Sequence, residues 1–159
     1  MKALIVSDTH GSLWNFQTVI EREKPDRVFH LGDSHNKEVE IQTYAGVPVD
    51  IVRGNCDGGF FLEDEIVTTV MGKKVFMTHG HYYGVNSDIS RIVARAKELE
   101  CDIAMYGHTH VPDISYRENI TIVCPGSLTE PRQAKRVPTY AIMENNPDGK
   151  IEIKIVELL

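Results

Sequence analysis

The chain has 159 residues, enough for one hydrophobic core of ordinary size and short for two, so a single domain over residues 1–159 is expected. At 42% hydrophobic and 25% charged it has the composition of a folded globular protein, and its net charge of −6 works against the polyanionic backbone of nucleic acid. No apolar stretch approaches the length of a membrane-spanning helix, so neither nucleic acid nor a bilayer is an expected partner.

The first apolar run, Ala3 to Val6, stops at Ser7 and Asp8 and is too short for the core of a signal peptide, which predicts a cytoplasmic location. Residues 2–7, 27–31 and 49–53 are nearly continuous and rich in β-branched side chains, as strands buried on both faces should be. Between the first two, Leu13, Phe16 and Ile20 recur at helical spacing until Pro25; residues 38–45 make a weaker second helix. This β-α-β-α-β run predicts parallel strands joined by right-handed crossovers.

Residues 65–70 and 74–79, joined at Met71 to Lys73, read as a hairpin, and Ile89, Ile92, Val93, Ala96 and Leu99 form a helical stripe. A buried strand follows at 102–107. The last third is strand: two segments around Glu118 and Asn119, then two more around the turn Pro147-Asp148-Gly149. The expected fold class is α/β, a two-sheet β-sandwich of mixed strands with helices outside, the first sheet partly parallel. Cys56, Cys101 and Cys124 are widely spaced with no CxxC pair, which points away from a disulfide framework or a structural zinc site and fits a reducing compartment.

Polar residues gather where these strands end: Asp8-Thr9-His10, Gly32-Asp33, Gly54-Asn55-Cys56-Asp57, His79-Gly80-His81 and Gly107-His108-Thr109-His110. The carboxyl ends of strands form the ligand crevice of an open α/β sheet, so the five loops are expected on one rim. Oxygen and imidazole ligands of this kind suit manganese, iron, zinc or nickel, and a bridging carboxylate can hold two metals about 4 Å apart for in-line displacement at phosphorus. No GxSxG, P-loop or cysteine-phosphatase loop offers a protein nucleophile instead. Each element alone is ambiguous, since an Asp after a strand is often a cap or turn residue. His30, inside an apolar strand, reads as a satisfied core histidine, and the role of His35 stays open.

In this order the motifs resemble those of the calcineurin-like metallophosphoesterase superfamily. The size and Cys124-Pro125-Gly126-Ser127, with Pro131-Arg132 following, resemble its small single-domain bacterial and archaeal phosphodiesterase branch. The resemblance implies a four-layer α/β sandwich and two divalent metal ions, manganese first, with nickel, iron and zinc as alternatives. It makes Asp8, His10 and His110 ligands of one metal and Asn55, His79 and His108 ligands of the other, with Asp33 bridging. His81 is expected in support rather than as a ligand, and the Pro125-Gly126-Ser127 loop either shapes the rim or simply turns the chain.

The implied activity is a metal-dependent phosphoesterase, a phosphodiesterase first, in which a hydroxide on the two-metal centre attacks a small phosphate ester. Asp33, Asn55, Cys56 and Asp57 are the catalytic candidates. Many members of the superfamily carry histidine where Cys56 stands, as proton donor or phosphate contact with the aspartate orienting it; a thiolate there could not donate a proton. The alternatives are a phosphomonoesterase and a non-catalytic scaffold of the same fold. The reading leaves room for a homo-oligomer.

Overall fold

In the computed structural model, which describes residues 1–59 and 61–159, ten strands form two five-stranded sheets with three α-helices outside them. The first sheet contains β1 (Lys2–Val6), β2 (Arg27–His30), β3 (Val49–Ile51), β9 (Thr139–Asn145) and β10 (Ile151–Glu157), ordered β10-β9-β1-β2-β3. The second contains β4 (Glu65–Val70), β5 (Lys73–Thr78), β6 (Ile103–Met105), β7 (Asp113–Arg117) and β8 (Ile120–Cys124), ordered β4-β5-β6-β8-β7. Helices α1 (Trp14–Glu23) and α2 (Glu38–Ala45) cover the first sheet, and α3 (Ser90–Glu98) covers the second.

The continuous apolar strands have a direct cause. Along β1, Ala3 and Ile5 point into the core between the sheets, while Leu4 and Val6 point under α1 with Phe16 and Val19. Both faces are dry, so both parities are apolar. β5 repeats the arrangement: Val75 and Met77 meet the other sheet, and Phe76 packs beneath α3 against Ile92, Val93 and Ala96. Three buried layers thus separate four structural layers, in agreement with the sandwich expected from the sequence.

The turn between β4 and β5 is one residue shorter than the sequence reading set it, whereas the turn at Glu118-Asn119 falls where it was expected. Met71 and Gly72 alone connect β4 to β5, with φ of 51° and 77°, and Lys73 already pairs with Val70. Two consecutive positive φ values match the twist of an antiparallel pair, and Glu118-Asn119 does the same between β7 and β8. The second sheet is also more parallel than expected, since β5, β6 and β8 all run the same way.

Candidate metal centre

Six loops meet on one edge of the sandwich because the strands that feed them are parallel within each sheet: β1, β2 and β3 in one, β5, β6 and β8 in the other. The first sheet delivers Asp8 and His10, Asp33, and Asn55; the second delivers His79 directly after β5, then His108 and His110 after β6. These loops turn sharply. Asp8, His10, Asp33, His35, His108 and His110 all have φ between 47° and 72°. That left-handed region is uncommon for residues with a side chain, and such strain concentrates where side chains must be aimed.

The outer nitrogen of each imidazole fixes what the inner one can do. His79 donates from Nδ1 to the Leu31 carbonyl at 2.6 Å, and His110 donates from Nδ1 to the Glu130 carbonyl at 2.7 Å. In the neutral ring each Nε2 therefore carries a lone pair. His10 turns its Nδ1 to His35 Nε2 at 2.8 Å and its Nε2 inward, 3.2 Å from His110 Nε2 and 3.5 Å from Asp8 Oδ1. Asp8 Oδ1, fully buried, has no hydrogen-bond donor, although His110 Nε2 approaches to 3.1 Å. Acceptors pressed against acceptors in a dry place are costly unless a cation sits among them.

The second group repeats the pattern. His79 Nε2 lies 3.0 Å from Asn55 Oδ1, 3.3 Å from Asp33 Oδ2 and 3.3 Å from His108 Nδ1, and His108 Nδ1 is 3.1 Å from Asn55 Oδ1. Asp33 Oδ2 is also 3.8 Å from His10 Nε2, so its carboxylate stands between the two groups, its other oxygen held by the Cys56 amide at 2.8 Å. All seven residues expected as ligands are brought together, and their donor atoms fit divalent cations.

The charges agree with that use. Burial opposes ionisation of Asp8, yet His10, His110 and His79, which carry positive charge when protonated in place of a bound cation, outweigh it and hold the carboxyl well below the usual range. For Asp33 burial is likewise outweighed, by His79 and the Cys56 amide, and its pKa also falls. Asp8 raises the pKa of His10; His79 is raised by Asp33 and Asp8 against the pull of burial, while burial and then His79 lower His108. Cys56 is exposed at the rim, and burial of its sulfur followed by Asp33 pushes the thiol above its ordinary value. The chain's own groups thus favour the protonated thiol.

Asp57 does something the sequence did not reveal. Its Oδ2 accepts from the amides of Asp33 at 2.9 Å and Gly54 at 2.8 Å, and its Oδ1 accepts from the His35 amide at 2.8 Å. The carboxylate therefore clamps the loops after β2 and β3 and is committed to backbone rather than to Cys56. Gly54 fits against that clamp because it has no Cβ, which would overlap Asp33 Oδ1 and the Asp33 amide. Ser127 is a second unforeseen hub: its Oγ donates to the Asp8 carbonyl at 2.7 Å and accepts from the amides of Thr129 and Glu130. The Pro125-Gly126-Ser127 loop therefore shapes the rim, because it sets the carbonyl that orients His110.

His30 falls as the sequence indicated, and His81 does so only in not being a ligand, since the support expected of it is not seen as a hydrogen bond among the described residues. His30 is fully buried and saturated, accepting from the Gly32 amide at Nδ1 and facing Thr9 Oγ1 with Nε2 at 3.0 Å. His81 belongs to neither ligand group; its ring centroid is 5.4 Å from that of His79, and it makes no hydrogen bond to the ligands among the described residues.

The sequence model of the calcineurin-like phosphoesterase superfamily domain matches residues 1–148. A probable metallophosphoesterase of Bacillus subtilis, YsnB, is 34% identical over 94% of this chain and 87% of its own. Among solved structures, a conserved uncharacterized protein and predicted phosphoesterase from Streptococcus pneumoniae TIGR4 is similar with a TM-score of 0.81 at 28% identity, covering 99% of this chain and 97% of that one. Two more share the fold at lower identity. Vps29 of Entamoeba histolytica, as a single mutant, has a TM-score of 0.80 at 22% identity over 100% of both chains. A novel archaeal phosphodiesterase has 0.77 at 24% over 99% of this chain and 100% of its own. With the ligand loops in place and the family match spanning nearly the whole chain, this protein belongs to the calcineurin-like phosphoesterase superfamily.

Proposed function

We propose that the protein is a phosphodiesterase acting on small phosphate esters at a two-metal centre, with manganese as the metal to test first. The observation that carries this reading is Asp33, whose carboxylate faces His79 Nε2 and His10 Nε2 at once, the position a bridging ligand needs. When bound, two divalent cations supply an activated water and a Lewis-acid clamp on the phosphoryl oxygens. The protein's part is to hold ligands in register: Leu31 and Glu130 carbonyls fix the tautomers of His79 and His110, and Asp57 fixes the loops that present Asp33 and Asn55. Asn55, exposed at the mouth, presents its amide oxygen inward and its amide nitrogen toward Cys56 Sγ at 3.7 Å.

A protonated Cys56 thiol is a weak acid, so diesters with good leaving groups are the preferred substrates in this reading. The fold of an archaeal phosphodiesterase supports a diester over a monoester. The reading also takes a cytoplasmic setting, with no nucleic-acid or membrane partner and room for self-association. The fold is equally that of Vps29, and the intact ligand set weighs for an enzyme over a scaffold of that shape. The test is hydrolysis of a nitrophenyl phosphodiester and of the matching monoester after chelation and re-addition of manganese. Metal-restored diester turnover is expected; a protein that binds no metal by elemental analysis would return the scaffold reading.

A further inference from the structure

A third group of ligand atoms sits on the outer side of the same histidine that closes the first. One ring nitrogen each of His10 and His35 and the Sγ of Cys56 lie within 4.8 Å of one another. His10 is peculiar among the inward-facing rings. The outer nitrogens of His79 and His110 end on backbone carbonyls, whereas that of His10 ends on the exposed side chain of His35, with the exposed Cys56 thiol beside it. A backbone carbonyl only orients an imidazole; an imidazole and a thiol can also compete for a cation.

We propose that His10, His35 and Cys56 form a third cation site at the rim, selective for a thiophilic divalent ion such as zinc or cadmium over manganese. A tetrahedral zinc with bonds of about 2.0–2.1 Å to nitrogen and about 2.3 Å to sulfur sets its ligand atoms about 3.3–3.6 Å apart. The His10 and His35 nitrogens, now 2.8 Å apart, must separate by about half an ångström, and the sulfur must close by no more than roughly 1.3 Å. Exposed His35 and Cys56 side chains accommodate this by rotation. On binding, Cys56 loses its thiol proton and His10 its Nδ1 proton to solvent, and the His10 ring then bridges the rim site and the inner centre. The soft thiolate supplies the selectivity, because manganese prefers oxygen and imidazole. Occupation removes the hydrogen bond between His10 and His35.

The site rests on ligand geometry and not on the hydrolytic reading, so its test uses no substrate. Protein saturated with manganese is titrated with cadmium while the ultraviolet thiolate-to-cadmium absorption is recorded. One equivalent is expected to produce the band. Cys56→Ser should abolish it, since Cys101 and Cys124 are buried, and His35→Gln should keep the band but weaken cadmium binding at least tenfold. Manganese stoichiometry by electron paramagnetic resonance should match the parent in Cys56→Ser. A band that survives in Cys56→Ser, an unchanged cadmium affinity in His35→Gln, or loss of manganese from Cys56→Ser would each overturn the proposal.

Discussion

Replacing Asp57 by alanine tests whether the cation site is assembled by a half-buried carboxylate clamp or by the metals alone. The substitution leaves the amides of Asp33, Gly54 and His35 without the acceptor they share. A hydrogen bond to a charged group contributes about 1.5–3 kcal/mol, and water can reach part of this loop, so the summed loss is set at about 3–5 kcal/mol. In a domain of this size each kcal/mol moves the melting temperature by about 2–4 °C, which predicts a fall of roughly 6–20 °C in chelator. The same change frees both the Asp33 carboxylate and Asn55, and losses of about 10–100-fold in metal affinity follow when such supports are removed. Asp57→Asn should fall between parent and alanine, because one carboxamide oxygen still accepts while its NH2 opposes an amide N–H. The measurements are thermal unfolding in chelator and manganese titration by calorimetry. A melting temperature within 2 °C of the parent (less than about 1 kcal/mol), together with unchanged manganese affinity, would refute the clamp.

Gly54→Ala should be at least as damaging as ordinary overpacking, which costs about 1–3 kcal/mol, because the added methyl meets the Asp33 amide and the Asp33 carboxylate oxygen that the Cys56 amide holds in place; stability in chelator and manganese affinity both report it. Ser127→Ala orphans the buried Asp8 carbonyl and two amides, and should lower manganese affinity while leaving the far-ultraviolet circular dichroism unchanged. Burial holds His30 at about 4, below its ordinary 6.5, so the fold keeps it neutral while the unfolded chain takes up a proton. Its contribution is complete above pH 6.5 and is drained as pH falls toward 4, by about 3 kcal/mol at about 1.4 kcal/mol per pH unit. His30→Gln in chelator should flatten the decline of stability across that window, and urea unfolding at several pH values measures it; an unchanged slope would show that His30 does not set it.

Much of the candidate ligand set stands out in the chain because most of its members sit at the carboxyl end of an apolar run, where periodicity marks the strand and the polar residue marks its exit. Asp8, Asp33, Asn55, His79 and His108 all follow that rule. The supports could not be read the same way. The partners of His79 and His110 are the carbonyls of Leu31 and Glu130, and a carbonyl has no residue signature. Asp57 looks in sequence like a catalytic partner for its neighbour because a carboxylate in a loop can turn either way; only the proximity of the Asp33 and Gly54 amides decides it. The contact between His10 and His35 joins two loops, so neither local spacing nor hydropathy announces it. Nor does the pairing of Lys2 to Ile5 with Ala141 to Glu144, which places β9 inside the first sheet between β1 and β10 although the chain reaches it only after completing the second sheet.

Each ligand group draws on both sheets. Asp8 and His10 come from one and His110 from the other; Asp33 and Asn55 come from one and His79 and His108 from the other. A cation shared across that seam is a removable cross-link, and between Asp8 and His110 it closes a loop of about a hundred residues, long enough for chain-entropy stabilisation of about 4–5 kcal/mol if it behaved as a covalent bridge. The two sheets are joined here also by apolar packing and by a few hydrogen bonds, among them His79 to the Leu31 carbonyl and Ser127 to the Asp8 carbonyl, so a cation would add to contacts that already span the seam. Metal supply would then govern how tightly the halves of the molecule are clipped together, and chelation should quicken amide exchange along the carboxyl ends of β1, β2, β5 and β6 together rather than in one sheet alone.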